Sequence, residues 1–299
     1  MATVKLWGLS CLLREYVVST EYDLSNDELQ QTLASIEIPA CPAVVMQVMA
    51  EAQKDAPDIN VLSKIIVGDV GMSAFAIKLA NSSLFRRGDA TSSVPKAISR
   101  LGTRNIVCIV VAVALRNTMS SDIPADVLDR FWNRAAAVAQ AASLLARKIR
   151  GITTDMAYTY ALFHNAAMPV MMRRFKDYYS TLKEVETNGL SLVNVEDERY
   201  RCSHAVVGAM LARNWGLSSL IGSAIRFHHD PEVYDPGKPF LDDQALGLIA
   251  VTHVAERIVL ELSGETDIEV GAFYPQATAY LGLSEDDIHD FRDLLVQSG

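Results

Sequence analysis

The stretch Phe131–Ile149, FWNRAAAVAQAASLLARKI, decides how this chain folds. Val138, Ala142, Leu145 and Ile149 recur at three- and four-residue spacing, which puts them on one stripe of an α-helix. Arg147 and Lys148 fall off that stripe, late in the helix, where cations suit the helix dipole. The same pattern returns from Gln244 to Leu262, where Leu248, Val251, Ala255, Ile258 and Leu262 form a second stripe. Ala, Leu, Met, Gln, Glu, Lys and Arg dominate, apolar residues do not alternate with period two, and the chain reads as all-α.

Helix punctuation supports this. Asp69 is placed to cap MSAFAIKLANS, Ser92 or Ser93 to cap a helix with Pro95 in its first turn, and Gly102 to end it. Ser203 precedes a helix that starts at His204 and ends at Gly216, and Ser284 opens a last, acid-led helix. The run Ile106–Leu115, IVCIVVAVAL, reads as a buried central helix. It is about half the length needed to span a bilayer. Ser120–Pro124 and Asp230–Pro239 break the pattern and divide the chain into an N-terminal extension (1–24), an N-terminal helical subdomain (25–122), a helical bundle (123–235) and a C-terminal helical extension (236–299). Leu6, Trp7, Leu9, Leu12 and Leu13 form a short apolar stripe in the extension.

The 299 residues are 50% hydrophobic and 21% charged, ample for a large core and far from a disordered composition. Lys and Arg total 27 against 36 Asp and Glu, a net charge of −9, which argues against nucleic-acid binding. Cys11, Cys41, Cys108 and Cys202 are scattered, as reduced thiols are. With a poor signal-peptide pattern and no membrane span, the expected location is cytoplasmic. No phosphate-binding glycine motif or nucleophile elbow occurs. Asn81-Ser82-Ser83 reads as a helix-ending turn, and Arg86-Arg87-Gly88 as a solvated basic spot.

Chemistry concentrates in the histidines. Five of the six, His164, His204, His228, His229 and His253, lie between 164 and 253. His164-Asn165 follows the apolar AYTYALF, His204 opens HAVVGAMLA with Gly208 one turn on, and His228-His229 end a helix before Pro231. Imidazole is a common metal ligand, and ligands from several helices can converge within a bundle. Each histidine also has a plainer reading. His164 can be a buried ring bonded to a carbonyl or to Asn165. One of His228 and His229, whose rings should point apart, can cap helix carbonyls. His253 and Glu256 can be a surface or intrahelical contact, and His289 an exposed side chain.

This series, a histidine in an apolar helix, then H-A-x-x-G, then H-H before P-E, resembles the HD phosphohydrolase superfamily and, more closely, the HDOD (HD-related output) domain of bacterial signalling proteins. IPACPAVVMQVM, MSAFAIKLANSSLF and SVPKAISRLGTRNI resemble that family's N-terminal segments, so the similarity runs over about residues 30 to 235. It implies an N-terminal helical subdomain packed on an HD-like bundle, and a regulatory role in signal transduction. Against an active HD enzyme, Arg134 stands where the first histidine belongs, and His164-Asn165 replaces His-Asp. The nearest candidate for the last carboxylate is Glu256.

The degenerate site positions are therefore Arg134, His164, Asn165, His204, His228, His229 and Glu256. An amide brings no negative charge to a divalent ion. A guanidinium beside the ion repels it by several kcal/mol, taking an effective dielectric of about 20. No catalytic residue and no cofactor are expected, while His164, His204, His228 and Glu256 could retain a divalent metal. Arg134 could instead close the site by pairing with Glu256. The expected function is a non-catalytic signalling module that contacts signalling proteins on other chains, with no membrane partner and an oligomeric state that the sequence does not assign. The alternatives are a metal-dependent phosphohydrolase acting on a nucleotide or phosphomonoester, and a sensor of a phosphorylated small molecule at Arg134 or the Arg86-Arg87 loop.

Overall fold

The computed structural model describes residues 34–298, apart from 53, 55, 82–85, 87, 120–122 and 238–240. The apolar stripe from Leu6 to Leu13, together with Cys11, Ser82, Ser83 and Arg87, lies outside the described residues. The described residues form helices and no strand. The N-terminal subdomain comprises α1 (Ala43–Ala52), α2 (Ile59–Val67), α3 (Val70–Ala80), α4 (Val94–Leu101) and α5 (Thr103–Met119). The apolar run is indeed the central helix, α5: Ile106, Ile109, Val110 and Leu115 are wholly buried, and α1, α3 and α4 pack on it.

The bundle follows with α6 (Ala125–Ala146), α7 (Thr154–Phe163), α8 (Met168–Arg174), α9 (Tyr178–Asn188), α10 (Leu192–Tyr200), α11 (His204–Asn214) and α12 (Ser219–Phe227). Helices α13 (Asp243–Ser263), α14 (Ile268–Leu281) and α15 (Glu285–Ser298) complete the chain. The sequence sets residues 236–299 apart as an extension, but α13 packs against α6, α7 and α12 and belongs to the bundle. The reason is its stripe: Leu248, Val251, Ala255 and Ile258 are fully buried, with no wetted face between them and α6. Leu262 departs from that stripe and is exposed near the helix end.

The anticipated caps form. Asp69 accepts from Met72 N–H, and Ser203 from Val206 N–H. Ser284 and Asp287 bond reciprocally at the start of α15. Ser93 occupies the N-cap of α4, but its side chain makes no cap hydrogen bond. Asn81 ends α3, and its carboxamide bonds both the N–H and the carbonyl of Thr91, tying down the loop between. Arg86 is spent on the Gly88 carbonyl.

Helices α11 and α12 approach closely at Gly208, where a Cβ would stand 2.8 Å from Ile225 Cγ2 and 3.6 Å from Ala167 Cβ. Gly222, on α12, has nothing within 4 Å of that position. The two glycines make a matched test. Gly222→Ala should stabilise by about 0.5–1 kcal/mol through helix propensity. Gly208→Ala should instead lose about 1 kcal/mol net, because overpacking outweighs that gain. Urea denaturation of both variants reads the two signs.

Candidate functional site

Local structure explains why the histidines converge. Helix α7 is capped by Thr153 and stops at Phe163, leaving His164 as the C-cap with its backbone N–H donating to the Tyr160 carbonyl at 2.8 Å. Helix α10 ends at Arg201, whose left-handed backbone (φ 58°) turns the chain straight into Ser203 and α11, so His204 begins that helix beside Glu196. Helix α12 ends at Phe227 and delivers His228 and His229 together. Helix α13 presents His253 and Glu256, three residues apart on one face.

The rings form a continuous cluster. His164 and His228 centroids are 5.4 Å apart, His204 and His228 5.5 Å, His204 and His229 4.9 Å, and His228 and His229 4.0 Å. The adjacent pair does not diverge as the sequence suggests. The chain leaves the helix at that point, and both rings turn inward. Nor is His253 a surface residue: it is 2% exposed, stacks on Phe273 of α14 (4.8 Å, 15° between planes), and its Nδ1 lies 2.9 Å from the Tyr234 hydroxyl. His289 is exposed, as expected.

Burial and neighbouring charges set the electrostatics of His204, His228, His229 and His253. Glu196, completely buried, accepts from the backbone N–H of His204 (3.0 Å) and from its Nδ1 (2.8 Å), and the Tyr178 hydroxyl donates to the same carboxylate. Burial pushes His204 down, but the charge and hydrogen bond of Glu196, helped by Glu269 and Glu256, outweigh it and leave its pKa raised. Nδ1 is thus committed to Glu196. The Nε2 of His204 is buried and has no hydrogen-bond partner among the described residues.

His228 donates through Nδ1 to the Ile225 carbonyl at 2.7 Å, and its Nε2 stands 3.2 Å from the Asn165 carboxamide. The Asn165 atom nearest that nitrogen is its amide oxygen Oδ1. Burial, together with the neighbouring imidazoles, drives His228 and His229 well below the usual histidine range, and burial takes His253 to about 4. Glu269 of α14, which accepts from Ser191, is pushed up to about 7 by burial, and it lies 3.4 Å from His229 Nδ1.

Two sequence readings change. Glu256 bonds His164 Nε2 at 3.2 Å rather than Arg134. Burial pushes its carboxyl up, but His164, His253 and Arg134 outweigh that and lower it. Arg134 falls on the outward phase of α6, between buried Trp132 and Ala135, and its half-exposed guanidinium pairs with Glu265 in the turn before α14. It stands at the rim of the site and acts on Glu256 through space.

The metal set shifts as well. With His164 Nδ1 on the Ala161 carbonyl (2.7 Å) and Nε2 on Glu256, the side chains with ligand atoms within 4.8 Å of one another are His204, His228 and His229. Sequence reasoning missed Glu196, Tyr178, Glu265, Glu269 and Phe273. Of these, only Glu196, eight residues before His204, carried a trace: an acid in a helix otherwise packed by Val195 and Tyr200. Cys202 is no nucleophile, since burial pushes its thiol to about 12.

A family model described as the HDOD domain matches residues 38–231. An uncharacterized protein of Treponema pallidum is 25% identical over 240 residues, covering 78% of this chain and 44% of that protein, so the chain spans less than half of this relative's length. Among solved structures, an HDOD domain protein from Geobacter sulfurreducens superposes with TM-score 0.63 at 19% identity, covering 91% of this chain and 97% of that one. A candidate phosphohydrolase from Shewanella amazonensis gives 0.66 at 20% identity, covering 90% and 93%. A candidate signal transduction protein from Marinobacter aquaeolei gives 0.63 at 19%, covering 97% and 62%. These structures share the fold. No helix among the described residues is long and apolar enough to cross a membrane.

The shifts set the pH response. An imidazole lowered in the folded state contributes stability that is complete above its unfolded value of 6.5 and drains as pH falls, because the unfolded chain takes the proton first. For His253, on the order of 2 kcal/mol is lost by about pH 5. Glu269, Asp267 and His204, all raised, act in the opposite sense and stabilise on the acid side, but His228 and His229, displaced well below their usual range, carry the net effect together with His253. The urea midpoint should fall from about pH 7 to about pH 5, and His253→Gln should shrink that difference. Glu196→Gln should cost about 1–3 kcal/mol and return the His204 pKa toward lower values by NMR titration.

Proposed function

Because the chain belongs to the HDOD family, we propose that it is a non-catalytic signalling module that works through contacts with other proteins, its HD-type site silenced in place. The burial of the histidine cluster carries this reading. His164, His204, His228 and His253 are 0–3% exposed. Helix α14 lies against one side of the cluster, through the His253–Phe273 stack, with the Ser191–Glu269 hydrogen bond and the Arg134–Glu265 ion pair holding the helix and the turn before it. A phosphoester and an attacking water need a route to the reacting centre, and rings this deeply buried leave little room for one.

The substitutions reinforce the burial. Asn165 sets an amide oxygen 3.2 Å from His228 Nε2 without supplying negative charge. Arg134 adds a fixed cation near Glu256, where a second cation would be repelled. What remains is a rigid helical body whose surface can be read by partners on other chains. The signalling assignment rests on the family, and the silence on these contacts.

A second reading keeps a resident divalent ion. The donor set fits one: His228 and His229 are held in the neutral, ligand-competent form, and the tautomer of His204 imposed by Glu196 leaves Nε2 free and partnerless. Such an ion would be a Lewis acid in a phosphohydrolase, or a structural staple in a regulator. The protein's own residues would hold the rings: Glu196 by orienting His204, the Ile225 carbonyl by orienting His228.

A panel of phosphomonoesters, nucleotides and cyclic dinucleotides with Mn, Mg, Fe or Ni distinguishes these readings. The expected result is no turnover. Turnover that disappears in His164→Ala would overturn the non-catalytic assignment. Elemental analysis of untagged protein then separates a staple from an empty chamber, and Arg134→His with Asn165→Asp should raise divalent affinity by tenfold or more, roughly 1.4 kcal/mol.

A further inference from the structure

Away from the histidines, a cavity of about 120 Å³ opens between the N-terminal subdomain and the bundle. Its apolar wall comes from Phe75 and Leu79 of α3, Val113 of α5, and Trp132, Ala136 and Leu162 of α6 and α7. Lys78, Arg116 and Asn133, all exposed, stand at its mouth with Asp129. Two features of this lining are unmatched by the protein. The buried Trp132 indole N–H meets no acceptor among the described residues. The Lys78 ammonium forms no ion pair among the described residues, while Arg116 is already paired with Asp129. An apolar slot with one spare cation and one spare donor is a recognition pattern.

We propose that this cavity is a binding site for a small monocarboxylate with an apolar body about the size of a single ring. The size follows from the volume, since an apolar cavity of about 150 Å³ accommodates benzene. The charge follows from the lining: Lys78 and Arg116 against Asp129 leave a net of one positive charge, which a monoanion neutralises. A dianionic phosphate ester would bring excess negative charge against Asp129. The carboxylate sits at the mouth by Lys78, and the body lies against Phe75, Val113 and Leu162. Because α3 and α5 form one side and α6 and α7 the other, the occupant braces the two halves of the protein against each other. The proposal stands whether or not the histidine chamber is silent.

Benzoate titrated into the full chain is the probe, with binding read by melting temperature and by the indole N–H resonance of Trp132, assigned with Trp132→Phe. Saturable binding is expected with a Kd of about 1 mM or tighter, consistent with so small a ligand. Benzamide, which lacks the charge, should bind about fivefold more weakly, and Lys78→Met, a change at an exposed position, should weaken benzoate by a similar factor. Ala136→Leu, which fills the slot, should abolish binding. If that variant does not fold, Lys78→Met carries the test. Absence of saturation by about 10 mM, unchanged affinity in Lys78→Met, or tighter binding of phenyl phosphate than of benzoate would each overturn the proposal.

Discussion

The buried pair of Glu196 and His204 is the contact on which the site depends. A carboxylate with no access to water is tolerated only if its acceptor capacity is filled, and here the Tyr178 hydroxyl, the His204 backbone N–H and the His204 ring fill it. The pair fixes the start of α11, because the bond reaches both the main chain and the side chain of its first residue. It also fixes which His204 nitrogen faces the other rings. Once that ring is set, His228 and His229 have only their own carbonyls, amides and carboxylates to satisfy them, and the cluster takes its shape.

Around this pair the protein gathers buried imidazoles, with an amide and an arginine at two of the surrounding positions. The imidazoles are oriented, neutral where burial demands it, and close enough to share an ion. The changed positions lie one at the base and one at the rim: an amide beneath His228, and an arginine that draws the turn before α14 toward α6. Helices α6, α7 and α13 pack together around these positions. Polar groups already satisfied inside a core are costly to remove one at a time.

How much of this was legible beforehand differs by level. Helices announce themselves through three- and four-residue spacing and through caps at Asp69, Ser203 and Ser284, and the order of motifs identified the family. The convergence of His164, His204 and His228 followed from that order. Pairings across the bundle did not. Whether Arg134 reaches Glu256 or Glu265 depends on the rotational phase of α6 and on where the α13–α14 turn falls, which local spacing does not encode. Glu196 stayed hidden for a related reason: it lies in no motif, and an acid near a helix end ordinarily reads as solvated surface. The place of α13 in the bundle was obscured by the Pro- and Gly-rich segment before it, which marks a bend in the chain and not the edge of a folding unit.

The stack of Phe273 on His253 has an evolutionary consequence. The Phe273 ring stands between α14 and two of the imidazoles, 4.8 Å from His253 and 6.4 Å from His229. Trimming that ring would admit solvent to the chamber without altering any backbone element. A change of a few codons would then alter how much water reaches the imidazoles, on an architecture that need not change at all.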